Sequence, residues 1–453
     1  MHKHHLSSSR RTRKPASSSG IDGRAGTQAR AWEQPEVLVR VHAAKRLRLW
    51  PRRSPCKRGA SAGRGGGLLV LAAGILACAL TLIGAWAQGA SKDLADQLTP
   101  AQLATYEAYR TARDKFDREL TYYWRRVEAK RDARKARRML AQEYEAQDYI
   151  AQQPPKYTGP ELPADIAKIV EAVVPPTPER PMATVAEFLQ SAKAQYGFVP
   201  TLTSEREFKR RYAEEALAVG LTKDQVVRIY ALETGGQGTF DMQSGINPIS
   251  KQGRPISSAL GYAQLLHANS TSELVKHGER FARRLLAMAA APGTPPDRAR
   301  TLSAKAAIVR HMLKVARSIP NEWGHHMRFA GTPAGLGIHA LNLDADVGPW
   351  LQVLKLKGLK DDAAVAGRDS LSGAQIELMN LAGPRTGLEM LLPVAQNMPT
   401  SNFFSRAGYY RNTIVRDRSA AELIRALEER MEVNIKKPGA VEFAQIFDEV
   451  ARR

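Results

Sequence analysis

The chain has 453 residues, 43% of them apolar, enough for two or three domains with real cores. Its formal net charge is +22, but residues 1–87 hold 16 basic and 3 acidic side chains, so the remainder is only mildly basic. Such a body suits an anionic polymer or a membrane surface, and no interleaved basic and aromatic pattern points to nucleic acid.

Residues 1–64 are too polar and charged to build a core. Residues 68–86 carry no charge, follow Arg52, Arg53, Lys57, Arg58 and Arg64, and lead into Ala85-Trp86-Ala87. This is the pattern of a secretory signal cleaved after Ala87. The 19 residues are also long enough to serve as an uncleaved anchor. Under either reading the positive-inside rule puts everything after residue 88 outside the cytoplasm, in the periplasm or on the outer face of the inner membrane. Ile75-Leu-Ala-Cys78 resembles a lipoprotein processing site, but the residues after Cys78 are too apolar for a mature start; Arg10-Arg11 lies too far from the apolar run for a twin-arginine signal. Cys56 and Cys78 are the only cysteines, which excludes zinc clusters and disulfide frameworks from the rest of the chain.

Residues 88–152 read as a charged helical stalk. Thr99 with Gln102 forms a capping box, and Pro100 suits the first helical position of a helix over 99–150. Leu103, Tyr106, Tyr109, Phe116, Leu120, Tyr123 and Val127 make an apolar stripe, and Arg125 to Arg138 a basic run read as a solvated face, with contact to an anionic cell wall or membrane surface as the alternative. Residues 153–183 are Pro-rich and read as a semi-rigid spacer holding one short helix. Residues 184–453 are expected to fold without them. There the pattern is helical, with helices at 184–195, 204–219, 222–234, 257–268, 271–289, 298–317, 372–381 and 419–432. Thr222 with Gln225 and Ser419 with Glu422 are capping boxes.

The chemistry centres on Ala231-Leu-Glu-Thr-Gly-Gly236. Val226, Ile229, Tyr230 and Glu233 share one helix face, so a carboxyl closes an apolar stripe just before Gly235-Gly236 stops the helix. Desolvation and the negative end of the helix dipole both raise its pKa, as a general acid working near neutrality requires. Further on, Gly261-Tyr-Ala-Gln264 sets a polar amide in an apolar stretch, and Gln375-Ile-Glu-Leu-Met-Asn-Leu-Ala-Gly-Pro384 is an apolar helix ending in Asn380 and a stop.

In that order, Glu233-Thr234, Gly261-Tyr-Ala-Gln264 and Met379-Asn-Leu-Ala-Gly383 resemble the three motifs of the soluble-type lytic transglycosylases. The resemblance covers residues 184–415 and rests on these short motifs. It implies an all-α, lysozyme-like fold without a cofactor. It also implies cleavage of the MurNAc–GlcNAc bond of peptidoglycan without water, leaving a 1,6-anhydro ring. By match Glu233 is the acid and then the base, Thr234 orients it, Tyr262 and Gln264 line the cleft and Asn380 holds substrate. Tyr409 or Tyr410 supplies the tyrosine that the family places near the acid. The chain departs from the pattern at Tyr262-Ala263, where Leu-Met is common, and at Met379 and Leu381, where Tyr and Ala are usual. The long separation of Gln264 from Asn380 implies an insertion near 290–365.

Two rivals remain. A lysozyme-type hydrolase would pair Glu233 with Asp241 across the scissile bond. A non-catalytic peptidoglycan-binding or envelope-assembly protein would use the same scaffold without chemistry. His325-His326 and His339 lack a carboxylate at ligand spacing, so no metal site is expected. Asp344 and Asp346 read as turn residues.

Overall fold

A computed structural model describes residues 94, 96–175 and 181–453. The signal or anchor segment, its cleavage site, both cysteines, Arg10-Arg11 and the rest of the basic extension to residue 87 lie outside these residues. The described part is all-α. Isolated bridges are its only extended pairings, and no helix is long and apolar enough to cross a membrane.

The first helix, α1 (Pro100–Met139), starts where the sequence predicts. The backbone N–H of Thr99 donates to Gln102 Oε1 at 3.1 Å, and that of Gln102 to Thr99 Oγ1 at 3.3 Å. It ends eleven residues before the predicted boundary, just ahead of Ala141 in the left-handed region (φ 52°). Contacts divide the chain into two units, and the division cuts α1 after Asp117.

The smaller unit comprises the described residues up to 117 and residues 157–175. Here α2 (Ala164–Val173) is amphipathic, and Ile166 packs with Leu94, Leu98 and Tyr106. Tyr157 sits edge-on to Tyr109 and Phe116, with the Arg113 guanidinium 5.1 Å from its ring centre. Residues 157–173 of the Pro-rich stretch therefore pack on α1, which corrects the reading of a spacer for that part. Tyr157 and Ile166 supply the apolar surface.

The larger unit joins residues 118–156 to 181–453, so half of the predicted stalk belongs with the helical domain. Leu120, Tyr123, Trp124 and Val127 of α1 are buried there, as are Tyr149 and Ile150. The basic run is not simply a solvated face. Arg134 is 1% exposed and donates from Nε to Glu389 at 2.7 Å, and to the carbonyls of Asp148 and Asn402 at 2.8 and 2.7 Å. Arg131 donates to the Phe404 carbonyl, while Arg125 and Arg126 stay exposed.

Then come α3 (Val185–Tyr196), α4 (Glu205–Ala218) and α5 (Lys223–Thr234), each opened by a hydroxyl cap and matching its predicted span. After a long turn region follow α6 (His267–Ala290), α7 (Pro296–Ala316), α8 (Trp323–Ala330), α9 (Pro333–His339) and α10 (Gly348–Val365). The last five are α11 (Gly373–Ala382), α12 (Pro384–Met390), α13 (Arg406–Arg411), α14 (Ala420–Asn434) and α15 (Pro438–Ala451). One core joins Phe188, Phe281, Leu285, Val309, Met312 and Leu351. Each such side chain contributes roughly 1.5–3 kcal/mol by leaving water. The segment expected as an insertion supplies much of that core.

The helix expected at 257–268 is absent. Leu260 pairs with Leu265 across a tight turn in which Gly261 (φ 78°) and Gln264 (φ 40°) are both left-handed, which a right-handed helix cannot hold. A Cβ on Gly261 would lie 2.5 Å from Gln352 Nε2, so the close approach needs glycine. Asp344 closes its turn by accepting the backbone N–H of Asp346 and Val347, both at 3.0 Å. It is also buried with Asp346 around Lys305, at 2.7 and 2.5 Å, so these two residues form an internal ion cluster as well as a turn.

Candidate active site

Glu233 stands one residue from the end of α5, where Gly235 (φ 65°) takes the left-handed position that terminates the helix. Helix α11 packs on α5 and presents Asn380 beside it. The Asn380 Nδ2 donates to Glu233 Oε1 in a long hydrogen bond of 3.4 Å. The same nitrogen lies 3.4 Å from each oxygen of Glu377, one helical turn earlier on the same face. Asn380 thus bridges two carboxyls that lie close enough to act on one another directly.

Burial dominates the electrostatics. Glu233 is half-buried by surface area, but its carboxyl sits deep enough that desolvation pushes its pKa up to about 7. The hydrogen bonds from Glu377 and Asn380 oppose that shift without cancelling it. Glu377 is 3% exposed and is pushed well above the usual carboxylate range. Its causes are burial first and then the charge of Glu233; Asn380 and the Lys355 ammonium of α10 pull the other way. Lys355 is itself drawn down by burial and feels Glu273 and Lys276 of α6.

Two buried carboxyls bridged by one amide hold at least one proton between them near neutrality, because two adjacent buried negative charges are too costly. The group can therefore donate a proton at neutral pH and take one back.

Of the residues singled out in the sequence, Glu233 and Asn380 come together. The Thr234 hydroxyl is used within its own helix, donating to the Tyr230 carbonyl at 2.6 Å, and so does not orient Glu233. Tyr262 is buried among Phe208, Tyr212, Tyr230 and Phe443, and its hydroxyl donates to Glu205. It is a core residue and does not line a cleft. Gln264 donates to the carbonyls of Gly261 and Met242 at 2.9 and 3.1 Å, bracing its turn. Tyr409 and Tyr410 pack on Trp124 of α1, and the Tyr409 hydroxyl accepts the Asp417 N–H at 2.9 Å. Asp241 is exposed, bonded to Thr239 and 3.5 Å from Lys251.

Among the described residues no group of His, Cys, Asp and Glu side chains is arranged to hold a metal. His339 is fully enclosed, its Nδ1 2.8 Å from Ser270 Oγ and its Nε2 2.7 Å from the Ser258 carbonyl. Burial lowers its pKa to about 3, which makes it a neutral packing element. A groove of about 660 Å³ beside Asp224, Arg228 and Glu432 runs at the other end of α5 and is lined by neither carboxyl.

The sequence reading missed Glu377. The criterion that selected Glu233, a carboxyl on an apolar helix face, applies equally to Glu377 in Ile376-Glu-Leu-Met379, three residues before Asn380. No protein-family model, curated protein or solved structure matches the chain.

Proposed function

We propose that this chain is a peptidoglycan lytic transglycosylase, with Glu233 as acid and then base and with no cofactor. The observation that carries the reading is the Asn380 amide 3.4 Å from oxygens of both Glu233 and Glu377 at the end of α5, where burial raises the Glu233 pKa to about 7. A pair of carboxyls that cleaves a glycoside with water must flank the bond, about 5–5.5 Å apart for retention and about 6.5–9.5 Å apart for inversion. Glu233 and Glu377 instead lie side by side, bridged by the one Asn380 nitrogen 3.4 Å from oxygens of both. Asp241, the other candidate partner, is engaged with Lys251 on an exposed loop. One working acid is what the transglycosylase reaction needs.

In that reaction the Glu233 carboxyl gives its proton to the glycosidic oxygen as the bond to the muramoyl C1 breaks. The substrate's own acetamido oxygen bonds to C1. The Glu233 carboxylate then takes the proton of the 6-hydroxyl, whose oxygen attacks C1 and displaces the acetamido oxygen. The 1,6-anhydro ring closes and the acid is regenerated. Glu233 and Asn380 stay in this assignment, and Glu377 joins them. We infer the same setting from residues 68–86: an exported protein, periplasmic or held at the outer face of the inner membrane.

Incubation of the protein with purified sacculi, followed by mass spectrometry of the released fragments, tests the reading. Anhydromuramoyl products are expected from the native protein and none from Glu233→Gln, an isosteric amide that cannot transfer the proton. Undiminished activity of Glu233→Gln overturns it. Reducing-end muramoyl products indicate hydrolysis instead, and glycan binding without turnover indicates a non-catalytic envelope protein.

A further inference from the structure

We propose that Glu377 is a positioning residue that keeps its own proton through the cycle and donates it, with the Asn380 amide, to the Glu233 carboxylate. The inference rests on reading Glu233 as the catalytic acid. Three observations support it.

Both carboxyls are enclosed, but Glu377 is the residue almost without surface exposure and is held well above the carboxylate range, whereas Glu233 is raised to about 7, so when the pair carries one negative charge it resides at lower cost on Glu233. Asn380 lies 3.4 Å from oxygens of both, and its amide has two N–H groups to give and so favours an acceptor on each side. Both Glu377 and Asn380 project from the same face of a capped helix, with the Ser372 hydroxyl accepting the Gln375 N–H at 3.2 Å, so their spacing is fixed by the backbone.

Helix α12, packed on α11, carries Arg385 and Glu389, the latter bound to Arg134 at 2.7 Å, and α10 carries Asp362 near Lys355. Lys355 of α10 acts on Glu377, with Glu273 and Lys276 of α6 behind it. Helix α14, also packed on α5, carries Glu432, which is bound to Arg228 at 2.7 Å; α15 carries Glu442, which is bound to Lys209 at 2.6 Å. The donor pair thus does for the Glu233 carboxylate what an oxyanion hole does for a developing alkoxide. The proton that reaches the leaving oxygen comes from Glu233, and the one returned comes from the 6-hydroxyl. The proton on Glu377 does not transfer, and the cycle balances without it.

The test uses the full chain labelled with ¹³C at glutamate Cδ. The Glu233 resonance is identified by its loss in Glu233→Gln, and its titration is followed with and without Glu377. Glu377→Leu removes the donor and is expected to raise the Glu233 titration by about 1–2 pH units. Glu377→Gln, which still donates an N–H, should hold it within about half a unit of the native value. The alkaline limb of kcat on glycan strands should move in parallel, with KM unchanged. Glu377→Met replaces the leucine variant if that one does not fold. An unmoved titration in the leucine or methionine variant overturns the proposal, and so does a fall toward the ordinary value, which would mark Glu377 as a repelling charge. If the titrations follow expectation but the native protein cleaves no glycan, the functional reading fails and the proton-sharing pair stands. If glycan is cleaved while the titration does not move, the reverse holds.

Discussion

Replacing Arg134 by alanine should destabilise the larger unit by about 4 kcal/mol. Arg134 and Glu389 are 1% and 6% exposed and 2.7 Å apart, so deletion of the guanidinium strands a buried carboxylate, a loss of about 3–5 kcal/mol. Arg138 Nη1 lies 3.7 Å from the other oxygen of Glu389 and recovers part of that loss. The carbonyls of Asp148 and Asn402 lose their donors as well, at about 1 kcal/mol each. In a domain of this size about 2 °C accompanies each kcal/mol, so scanning calorimetry should record a Tm lower by about 8 °C. Arg125→Ala, at an exposed position of the same helix, should change stability by less than about 0.5 kcal/mol. The Arg134 effect should persist at high salt, because a buried pair is poorly screened. Arg134→Met with Glu389→Met, which leaves no unpaired charge, should restore much of the loss. If Arg134→Ala shifts Tm no more than Arg125→Ala does, residues 118–156 are not part of this unit and the contacts described for them are wrong.

Two further outcomes follow from the same packing and from the carboxyl pair. A chain beginning at Thr184 loses the buried Leu120, Tyr123, Trp124, Val127, Tyr149 and Ile150, together worth on the order of 10 kcal/mol, and should be largely unfolded by circular dichroism. The native protein should lose stability as pH rises from about 4.5 to about 7. Glu233 retains its proton in the folded state to about 7 against 4.5 when unfolded, so the folded state binds more protons across that window. The loss amounts to at most about 3 kcal/mol from this residue, and urea midpoints at pH 5 and pH 8 should differ less in Glu233→Gln than in the native chain.

What the sequence made legible was mostly local. Thr99 with Gln102, Thr222 with Gln225 and Ser419 with Glu422 each set a helix start through contacts three residues apart, and each start is found where expected. Helices α8, α9, α12 and α13 are short and carry too few apolar repeats to be read. The longer α10 and α15 were overlooked as well; α10 is buried nearly all round in its first half, which hides the period. Ala259 to Leu266 is an apolar run that suits a helix or a tight buried turn equally, and only the left-handed Gly261 and Gln264 decide between them. Arg134 looked like one more cation in a basic run, because its partner Glu389 is remote in sequence and nothing local marks the pair. Glu233 was legible from its helix stop, whereas its dependence on Glu377 needed the packing of α11 on α5.

Glu233 and Asn380 are 147 positions apart, and helices α6 to α10 lie between them in the chain. Little of the acid's special character exists in the isolated helix α5, where its own dipole acts through water and the burial that raises the side chain to about 7 is absent. It emerges only once the intervening core has closed and α11 has docked. Chain growth thus separates synthesis from competence: a partly made or partly folded protein carries the acid but not the environment that lets it keep a proton at neutral pH. During refolding, far-ultraviolet helicity should return well before the raised Glu233 titration, which makes the acidity of one side chain a late reporter of the whole domain's closure.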